Sequence, residues 1–549
     1  MTEILLRLVL PIALVVNPVL LTRLTLRRAS WILTMAGVVP WAIALNTFVP
    51  VGLHLARVPI TQGALAAVHA TLALVLMFVI SAGPHSSPAW PPTARAVWRA
   101  VGPLFVLYAI LVLPVTPIAG GDTYKWQDLA TNVDVERSIP WLVHPASLFG
   151  FTPRAYPSAQ PLVLASIQIL GQTGVDWGFY LVALLAGFAA ITGAYALGRR
   201  LVDTGDHAWW LAFLYAFTPL LMRYGYWATG RGFLLALLPL FICLLLEARA
   251  LTFLAAGLLA ALLALSHKAG LVAALALPLA MAASPVLASV RSRRPIQIAL
   301  LLAAGAIGIL LTPGPAAWTL RAVSRFAWLI PLAALGWVAT DWADTRGRRA
   351  LLAGTLLTLP LLATDDLYGA LLAVPFVTVA AAAGVSVLAH RWPAAFHAYL
   401  RPCLVGLVLL AAVTVLVRQA QDSPSRAVCR AAQFLDSFDP RGPYRIEAPG
   451  RVRTQMQAYV AGCPRFTVDA PPDAALTLRS PPPLTGAWRA DLHRWTAWLR
   501  EAFELHDVET AWYGGATNVY YVIVNSQGSA PPEARPIYSR DDVTILKGR

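Results

Sequence analysis

The sequence is short of charged residues and of cysteine, and both shortages narrow the class of protein. Charged residues make up only 13% of the 549 residues, whereas hydrophobic residues make up 58%. Soluble domains are about 25% charged and about 45–50% apolar, so an ordinary soluble protein is excluded. Disordered chains need low hydrophobicity and are excluded as well. The 4 cysteines are too few for a disulfide framework, and the composition is typical of a protein with many membrane spans.

Several functional motifs are also missing. No GxxxxGK[ST] phosphate-binding loop occurs, which disfavours a nucleotide-driven pump and any nucleotide cofactor. Neither His144 nor His267 has a partner at metal-ligand spacing, so no metal site is indicated. The formal net charge is +15, but the basic residues form short clusters between apolar runs, a pattern that does not favour nucleic-acid binding.

Apolar runs that approach the length of a membrane span, about 20 residues, recur along most of the chain. They occupy residues 4–22, 31–51, 62–83, 98–118, 177–197, 207–222, 232–247, 251–266, 269–290, 296–312, 326–341, 350–364, 368–389 and 402–419. Arginine clusters fall in alternate connecting segments, at 23–28, 95–99, 199–200, 249, 291–294, 346–349 and 391–401. The positive-inside rule places these segments in the cytoplasm. The sequence therefore predicts an all-α polytopic protein of about 14 spans in a bacterial-type cytoplasmic membrane, with the 119–176 loop outside.

The composition changes near residue 420, which divides the chain into two predicted domains. Residues 1–420 form the polytopic transmembrane domain, and residues 421–549 form a small soluble α/β domain on the extracytoplasmic side. Strands are predicted at 444–448, 466–470, 518–525 and 542–547, and a helix is predicted at 490–506. Cys429 and Cys463 both belong to this outer domain, where they form either a disulfide or two buried thiols.

The 119–176 loop is the longest loop of the membrane domain, and loops of this length are usually functional or disordered. Asp122 follows two glycines at the exit of a span, where an acid lies beside the lipid head groups. It is a candidate general base or, alternatively, a helix N-cap, and Asp128 is the second choice for the base. The apolar segment 159–174 cannot cross without inverting the arginine pattern, so it is predicted to lie on the outer membrane surface or to be re-entrant.

Six basic side chains lie at predicted outer ends of spans and break the positive-inside trend. They are Arg223, Arg231, His267, Lys268, Arg321 and Arg325. An anionic lipid phosphate would explain cations at these positions, and an interfacial ion pair or head-group contact is the alternative. Arginine binds phosphate in a bidentate manner, whereas lysine acts as a point charge.

These segments resemble the GT-C glycosyltransferases, which are multi-span enzymes that use polyprenyl-phosphate sugars. The resemblance covers roughly residues 100–390. It lies in the sequence GGD at 120–122, Tyr156-Pro157, the helix at 159–174, ITGAYALGRRL at 191–201, LAFLYAFTPLLMRYGYWATGRG at 211–232 and LSHKAGLVAALALPLA at 265–280. Thr123 follows Asp122, as in family members with a single Asp. The outer C-terminal domain is similar to that of bacterial arabinofuranosyltransferases.

The resemblance implies transfer of a sugar from a polyprenyl-phosphate donor to a hydroxyl group of a glycan, lipid or protein at the extracytoplasmic face. Asp122 would take the acceptor proton, and Arg223, Arg231, His267 and Lys268 would hold the donor phosphate. The remaining candidates, for substrate binding, are Tyr124, Lys125, His144 and Tyr156. A transporter or flippase of lipid-linked substrates and a non-catalytic envelope assembly protein are the alternatives. No internal repeat is evident, although transporters usually contain one.

Overall fold

The helices of the chain form one large bundle, and a small sheet lies near the C-terminus. The computed structural model describes residues 9–25, 31–81, 92–113, 121–142, 145–150, 157–202, 205–247, 250–311, 325–362, 368–421, 426–440, 444–449, 452–457, 459–460, 483, 485–486, 490–491, 494 and 518–548. This described part is mostly helical. The helices of the apolar part share one hydrophobic core, and the sheet has a second core of its own.

The apolar part of the chain contains the following helices. They are α1 (Val9–Thr25), α2 (Trp31–Leu55), α3 (Gln62–Ser81), α4 (Pro92–Leu111), α5 (Gly121–Glu136), α6 (Ala159–Gly171), α7 (Val175–Leu201), α8 (Gly205–Ala216), α9 (Pro219–Tyr226), α10 (Gly230–Glu247), α11 (Ala250–Ser266), α12 (Lys268–Ala283), α13 (Arg294–Leu311), α14 (Leu329–Ala339), α15 (Arg346–Leu361), α16 (Tyr368–Arg391) and α17 (Arg401–Gln421). Short 3₁₀ segments lie at Pro145–Leu148 and Ser284–Val290, and π-helical segments lie at Ile12–Val16 and Phe396–Leu400.

Seven helical segments of the described residues are long and apolar enough to cross a membrane. They are Ile32–Leu55, Gln62–Ser81, Val175–Leu201, Gly230–Glu247, Lys268–Val290, Tyr368–Arg391 and Pro393–Gln419. Shorter apolar helices are found in α1, α6, α11, α13 and α14. The helices support a membrane protein, whereas the count of about 14 spans stays a prediction.

One predicted span is divided into two helices. The run at 207–222 forms α8 and α9, with a break at Thr218 and Pro219. Pro219 lacks a backbone N–H and therefore favours a helix start. The Thr218 hydroxyl caps α9 by accepting a hydrogen bond from the Leu221 backbone N–H over 3.3 Å. The break turns the chain just before Arg223, one of the predicted cations.

Helix α6 covers most of the segment predicted at 159–174 and is enclosed by other helices. Its residues are buried except Gln168 and the terminal Gly171, which are half-buried, and it packs against α2, α3, α5 and α7. Helix α6 is therefore packed within the bundle. Its placement on the outer membrane surface or as a re-entrant segment stays a prediction.

Contacts between helix ends define two ends of the bundle. At the first, here called the α5 end, the start of α5 reaches the turn after α9 through Thr123 and Trp227, and the start of α10 touches Ser266 at the end of α11. At the second, the arginine end, Arg200 of α7 pairs with Glu247 of α10 at 3.6 Å. The end of α7 also lies beside Gly347 at the start of α15.

The predicted charge pattern agrees with these two ends. The arginine clusters at 199–200, 291–294 and 346–349 lie at the arginine end, where Arg291 pairs with Asp344 at 3.1 Å. The outward cations at 223–231 and 267–268 lie at the α5 end. Helices α7 and α10 both run from the α5 end to the arginine end, because their first residues lie at one and their last residues at the other.

The C-terminal domain is a four-stranded sheet covered by a helix. Its strands are β1 (Tyr444–Glu447), β2 (Asn518–Val524), β3 (Arg535–Arg540) and β4 (Val543–Lys547), and its helices are α18 (Arg426–Phe438) and α19 (Val452–Gln457). The strand order is β1-β2-β4-β3, with β1 parallel to β2 and the other pairs antiparallel. Leu435 of α18 packs into a core with Tyr444, Ile446 and Tyr520 of the sheet.

The strand predictions for this domain are compared with the structure one by one. Three predicted strands match β1, β2 and β4, and the fourth, at 466–470, lies outside the described residues. Strand β3 was not predicted, because this edge strand is largely exposed and contains Pro536. Of the predicted helix at 490–506, only positions 490, 491 and 494 are described, and they are helical.

The C-terminal domain contacts the bundle at the α5 end. Helix α19 packs against α5, and the Tyr459 hydroxyl donates a hydrogen bond to Asp176 Oδ1 over 3.0 Å at the start of α7. Cys429 is a buried free thiol, while Cys463 lies outside the described residues. Burial, reinforced by the nearby Asp176 carboxylate, raises the pKa of Cys429 to about 11.

Candidate functional site

The turn between α9 and α10 is the centre of the candidate site. Its middle residue, Ala228, has a φ of +46°, a left-handed conformation that is strained for any residue with a Cβ. Two neighbouring helices hold the turn by its carbonyl groups. Thr123 of α5 donates to the Trp227 carbonyl over 3.1 Å, and the Gln160 amide of α6 donates to the Ala228 carbonyl over 2.5 Å. The strained backbone is therefore fixed from outside the turn.

Helices α5 and α6 are in turn fixed to each other. The Gln127 and Gln168 side-chain amides donate to each other, at 3.3 Å and 2.8 Å. Gln127 is buried, so these hydrogen bonds are shielded from water and strengthened by the low dielectric. The two helices therefore hold the turn as one unit.

Two arginines of this turn lie against aromatic rings. The Arg223 guanidinium carbon is 4.6 Å from the centre of the Trp227 ring and 5.4 Å from that of Tyr224. The Arg231 guanidinium carbon is 5.3 Å from the centre of the same Tyr224 ring. Cation–π contacts at this distance stabilise arginine without neutralising its charge. Both guanidinium groups therefore contact the same tyrosine ring.

His267 and Lys268 join these arginines from the turn between α11 and α12. A Cβ atom on Gly230 would lie 2.1 Å from the Ser266 carbonyl oxygen, so the two turns are in direct backbone contact. His267 is buried, and its Nδ1 accepts a hydrogen bond from the Ala269 N–H over 3.1 Å, which caps α12. Burial first, and then the positive charges of Arg231 and Lys268, hold the pKa of His267 well below its ordinary value.

The start of three helices adds to the positive character of the site. Helix α10 begins at Gly230, α12 begins at Lys268, and α5 begins at Gly121, two residues before Thr123. Helix N-termini carry partial positive charge and unpaired N–H groups, which favour anions. Trp126 of α5 also reaches the site, because its ring would lie 3.1 Å from a Cβ on Gly230. The described part of the site is therefore suited to an anionic group.

The structure brings four of the predicted cations, Arg223, Arg231, His267 and Lys268, into one place. Asp122 lies in the first turn of α5, directly before Thr123. Asp128 lies on α5 roughly 9 Å further along the axis. Tyr124 and Lys125 belong to the first turns of the same helix, whereas His144 and Tyr156 lie outside the described residues.

Three polar residues of the site were not predicted from the sequence. They are Gln160, Trp227 and Thr229. Each is buried, and Gln160 Oε1, Trp227 Nε1 and Thr229 Oγ1 have no hydrogen-bond partner among the described residues. The one signal in the sequence is Gln160, a polar residue at the start of an otherwise apolar run. Trp227 and Thr229 carry no comparable signal in the sequence.

Comparison with known proteins does not identify a family for the chain. No protein-family model matches the sequence, and no curated protein sequence matches it. Among the described residues, no group of three or more His, Cys, Asp or Glu side chains is placed to hold a metal ion. The function therefore has to be inferred from the cations, the helix ends and the position of Asp122.

Proposed function

We propose that the protein is a membrane glycosyltransferase of the GT-C type that moves a sugar from a polyprenyl-phosphate donor to an acceptor hydroxyl group. One observation carries the proposal. Arg223, Arg231, His267 and Lys268 surround a single turn at one end of an apolar helix bundle, beside the start of the helix that contains Asp122. A lipid phosphate would match both features, because its anionic head group can bind the cations and its apolar tail can lie against the apolar bundle.

The cations would bind the donor phosphate and stabilise it as it leaves. The arginines can form paired hydrogen bonds with phosphate oxygens, and Lys268 adds a point charge. His267 would act as a neutral donor. Since its Nδ1 accepts from Ala269, a neutral ring carries its proton on Nε2. These groups would stabilise the negative charge that develops when the sugar–phosphate bond breaks.

Asp122 would act as the general base. The acceptor hydroxyl would give its proton to the Asp122 carboxylate while its oxygen bonds to the anomeric carbon of the sugar. The bond between that carbon and the phosphate oxygen would break, and polyprenyl phosphate would leave with inversion at the anomeric carbon. Helix α19 of the C-terminal domain packs against α5, so the acceptor would approach between this domain and the membrane. The acceptor is a glycan, lipid or protein of the cell envelope.

The general base is tested by Asp122→Asn in the full-length protein in lipid nanodiscs, with radiolabelled polyprenyl-phosphate sugars as donors. General acid–base catalysis contributes about 10²–10⁴-fold, so transfer should fall by at least about 100-fold. Asp134→Asn is the matched control, because Asp134 lies on the same helix and pairs with the exposed Arg137. If Asp122→Asn kept full activity and Asp128→Asn lost it, the general base would be Asp128 instead. Donor binding without any transfer would instead favour a flippase or an assembly protein.

The orientation is a separate part of the proposal, with the α5 end outside a bacterial-type cytoplasmic membrane. It is tested with a single cysteine at either end, in a background in which Cys243, Cys403, Cys429 and Cys463 are all replaced by serine. Glu136→Cys lies on α5, and Arg346→Cys lies at the arginine end, and both positions are exposed. An impermeant maleimide should label the first in whole cells and the second only after permeabilisation. The reverse pattern would invert the orientation.

A further inference from the structure

The turn between α9 and α10 has a fixed backbone but polar side chains that lack partners. The carbonyl groups of Trp227 and Ala228 are occupied by Thr123 and Gln160. In contrast, Trp227 Nε1, Thr229 Oγ1 and Gln160 Oε1 have no hydrogen-bond partner among the described residues. Their side chains are 6%, 1% and 0% exposed, so bulk water does not serve them either.

Buried polar atoms without partners are rare in native proteins, and each one needs a reason. Thr229 is the clearest case. A threonine before a helix normally caps it by accepting an N–H with its hydroxyl. Here the N–H groups of Gly232 and Phe233 bond instead to the Thr229 backbone oxygen, at 2.8 Å and 3.2 Å, and the hydroxyl is left over. The hydroxyl is therefore not needed for the start of α10.

The three residues belong to one turn and to the helix that holds it, next to the proposed phosphate site. Gln160 bonds to Ala228, the residue between Trp227 and Thr229, so its amide is adjacent to both. The Trp227 ring also carries the Arg223 guanidinium, and Arg231 follows Thr229 by two residues. A group attached to a phosphate held by these arginines would be beside the three atoms.

We propose that Gln160, Trp227 and Thr229 form a subsite for hydroxyl groups of the sugar that is attached to the donor phosphate; this rests on the proposed function. The hydrogen-bonding capacity of these three side chains fits sugar hydroxyl groups better than it fits phosphate oxygens. Gln160 Oε1 only accepts hydrogen bonds, and an ionised phosphate has no proton to give it. Trp227 Nε1 only donates, and the Thr229 hydroxyl does both. Sugar hydroxyls donate and accept, so they match all three.

The subsite is tested with Thr229→Val and Trp227→Phe, which remove one polar group each and nearly keep the shape. The full-length protein in nanodiscs is titrated with polyprenyl phosphate and with a panel of polyprenyl-phosphate sugars of defined structure. We expect the wild type to bind at least one sugar-bearing donor more tightly than polyprenyl phosphate. Each variant should lose about 10-fold or more in affinity for that donor and less than about 2-fold for polyprenyl phosphate. Thr229→Ser is the matched control and should retain the preference.

Stability without ligand gives an independent readout. Because the Thr229 hydroxyl is buried without a partner, Thr229→Val should melt at the same temperature as the wild type or higher. A lower melting temperature would mean that the hydroxyl serves the fold, and the subsite would be wrong.

The binding results separate the two proposals. Equal losses for both ligands, no loss for either, or a wild type without preference for a sugar would overturn the subsite and leave the phosphate site standing. A wild type that binds no polyprenyl phosphate, with or without sugar, would overturn the proposed function.

Discussion

Arginine has different surroundings at the two ends of the helix bundle. At the arginine end, carboxylates lie beside it: Arg200 pairs with Glu247, and Asp344 lies 3.1 Å from Arg291 and 3.7 Å from Arg348. At the α5 end, the guanidinium groups of Arg223 and Arg231 lie against aromatic rings. An aromatic ring positions a guanidinium group through a cation–π contact. The first arrangement suits a charged membrane boundary, and the second suits a binding site.

The other polar groups at the two ends are also held in different ways. At the arginine end, the Asp341 carboxylate accepts hydrogen bonds from the Gln297 amide at 2.7 Å and from the backbone N–H groups of Ser292 and Ala343, both at 3.0 Å. Burial tends to raise the pKa of Asp341, but these hydrogen bonds outweigh it and lower the pKa. At the α5 end, Gln160, Trp227 and Thr229 each have a polar atom without a partner. Buried polar atoms without a partner among the described residues also occur at the arginine end, at Trp342 Nε1 and Arg349 Nε, so it is the cations around the turn that distinguish the α5 end.

The largest expected effect concerns removal of charge at each end. Arg231→Gln combined with Lys268→Gln should reduce sugar transfer by about 1,000-fold, because hydrogen bonds to charged groups contribute about 1.5–3 kcal/mol each. Arg200→Gln at the arginine end should change the rate by less than about 2-fold, since exposed pairs contribute little. Initial rates at saturating acceptor measure both. Equal losses at the two ends would remove the contrast between them.

A second expected effect concerns the C-terminal domain, which contacts the α5 end. The pKa of Cys429 is raised to about 11, so at pH 8 nearly all of this thiol is protonated. Only the thiolate reacts with iodoacetamide, and alkylation should therefore be on the order of 100-fold slower than for an ordinary thiol. The rate should rise about tenfold per pH unit between pH 8 and pH 10.

The alkylation has its own control. Asp176→Asn removes a charge that raises the pKa of Cys429, so it should speed the reaction in the folded protein. In denaturing detergent the two proteins should react at the same rate. An unchanged rate in folded Asp176→Asn would mean that the domain does not dock at the start of α7.

The next expected effect concerns the backbone contact between the α9–α10 turn and the α11–α12 turn. Gly230→Ala places a Cβ 2.1 Å from the Ser266 carbonyl oxygen, so one of the turns must move. Such overpacking costs about 1–3 kcal/mol and should also lower donor affinity. Gly257→Ala in α11 is the control, because no atom lies within 4 Å of its Cβ and alanine favours a helix. Thermal unfolding in detergent measures both, and equal melting temperatures would mean that the turns are not in contact.

The sequence predicts which charged residues lie at each end of the bundle, but it does not predict the buried polar residues of the site. Charge at Arg223, Arg231, His267 and Lys268 violates a strong rule about arginine and lysine placement, so these residues could be found without coordinates. Gln160 and Thr229 could not, because a buried polar residue is significant only once its missing partners are known. The break at Thr218 was also hidden, since the run at 207–222 has the composition of a continuous span. Likewise, the sequence does not show that α6 is packed within the bundle.

The smallest expected effect concerns Asp344, which lies beside both Arg291 and Arg348. Its side chain is 38% exposed, and ion pairs of this kind contribute about 0–1 kcal/mol, less at high salt. Asp344→Asn should therefore barely change the melting temperature in 0.5 M NaCl and should leave sugar transfer intact. Arg291→Gln, which removes the partner instead, should behave in the same way. If either variant abolished transfer while the protein stayed folded, the arginine end would take part in the reaction, and the assignment of chemistry to the α5 end alone would be wrong.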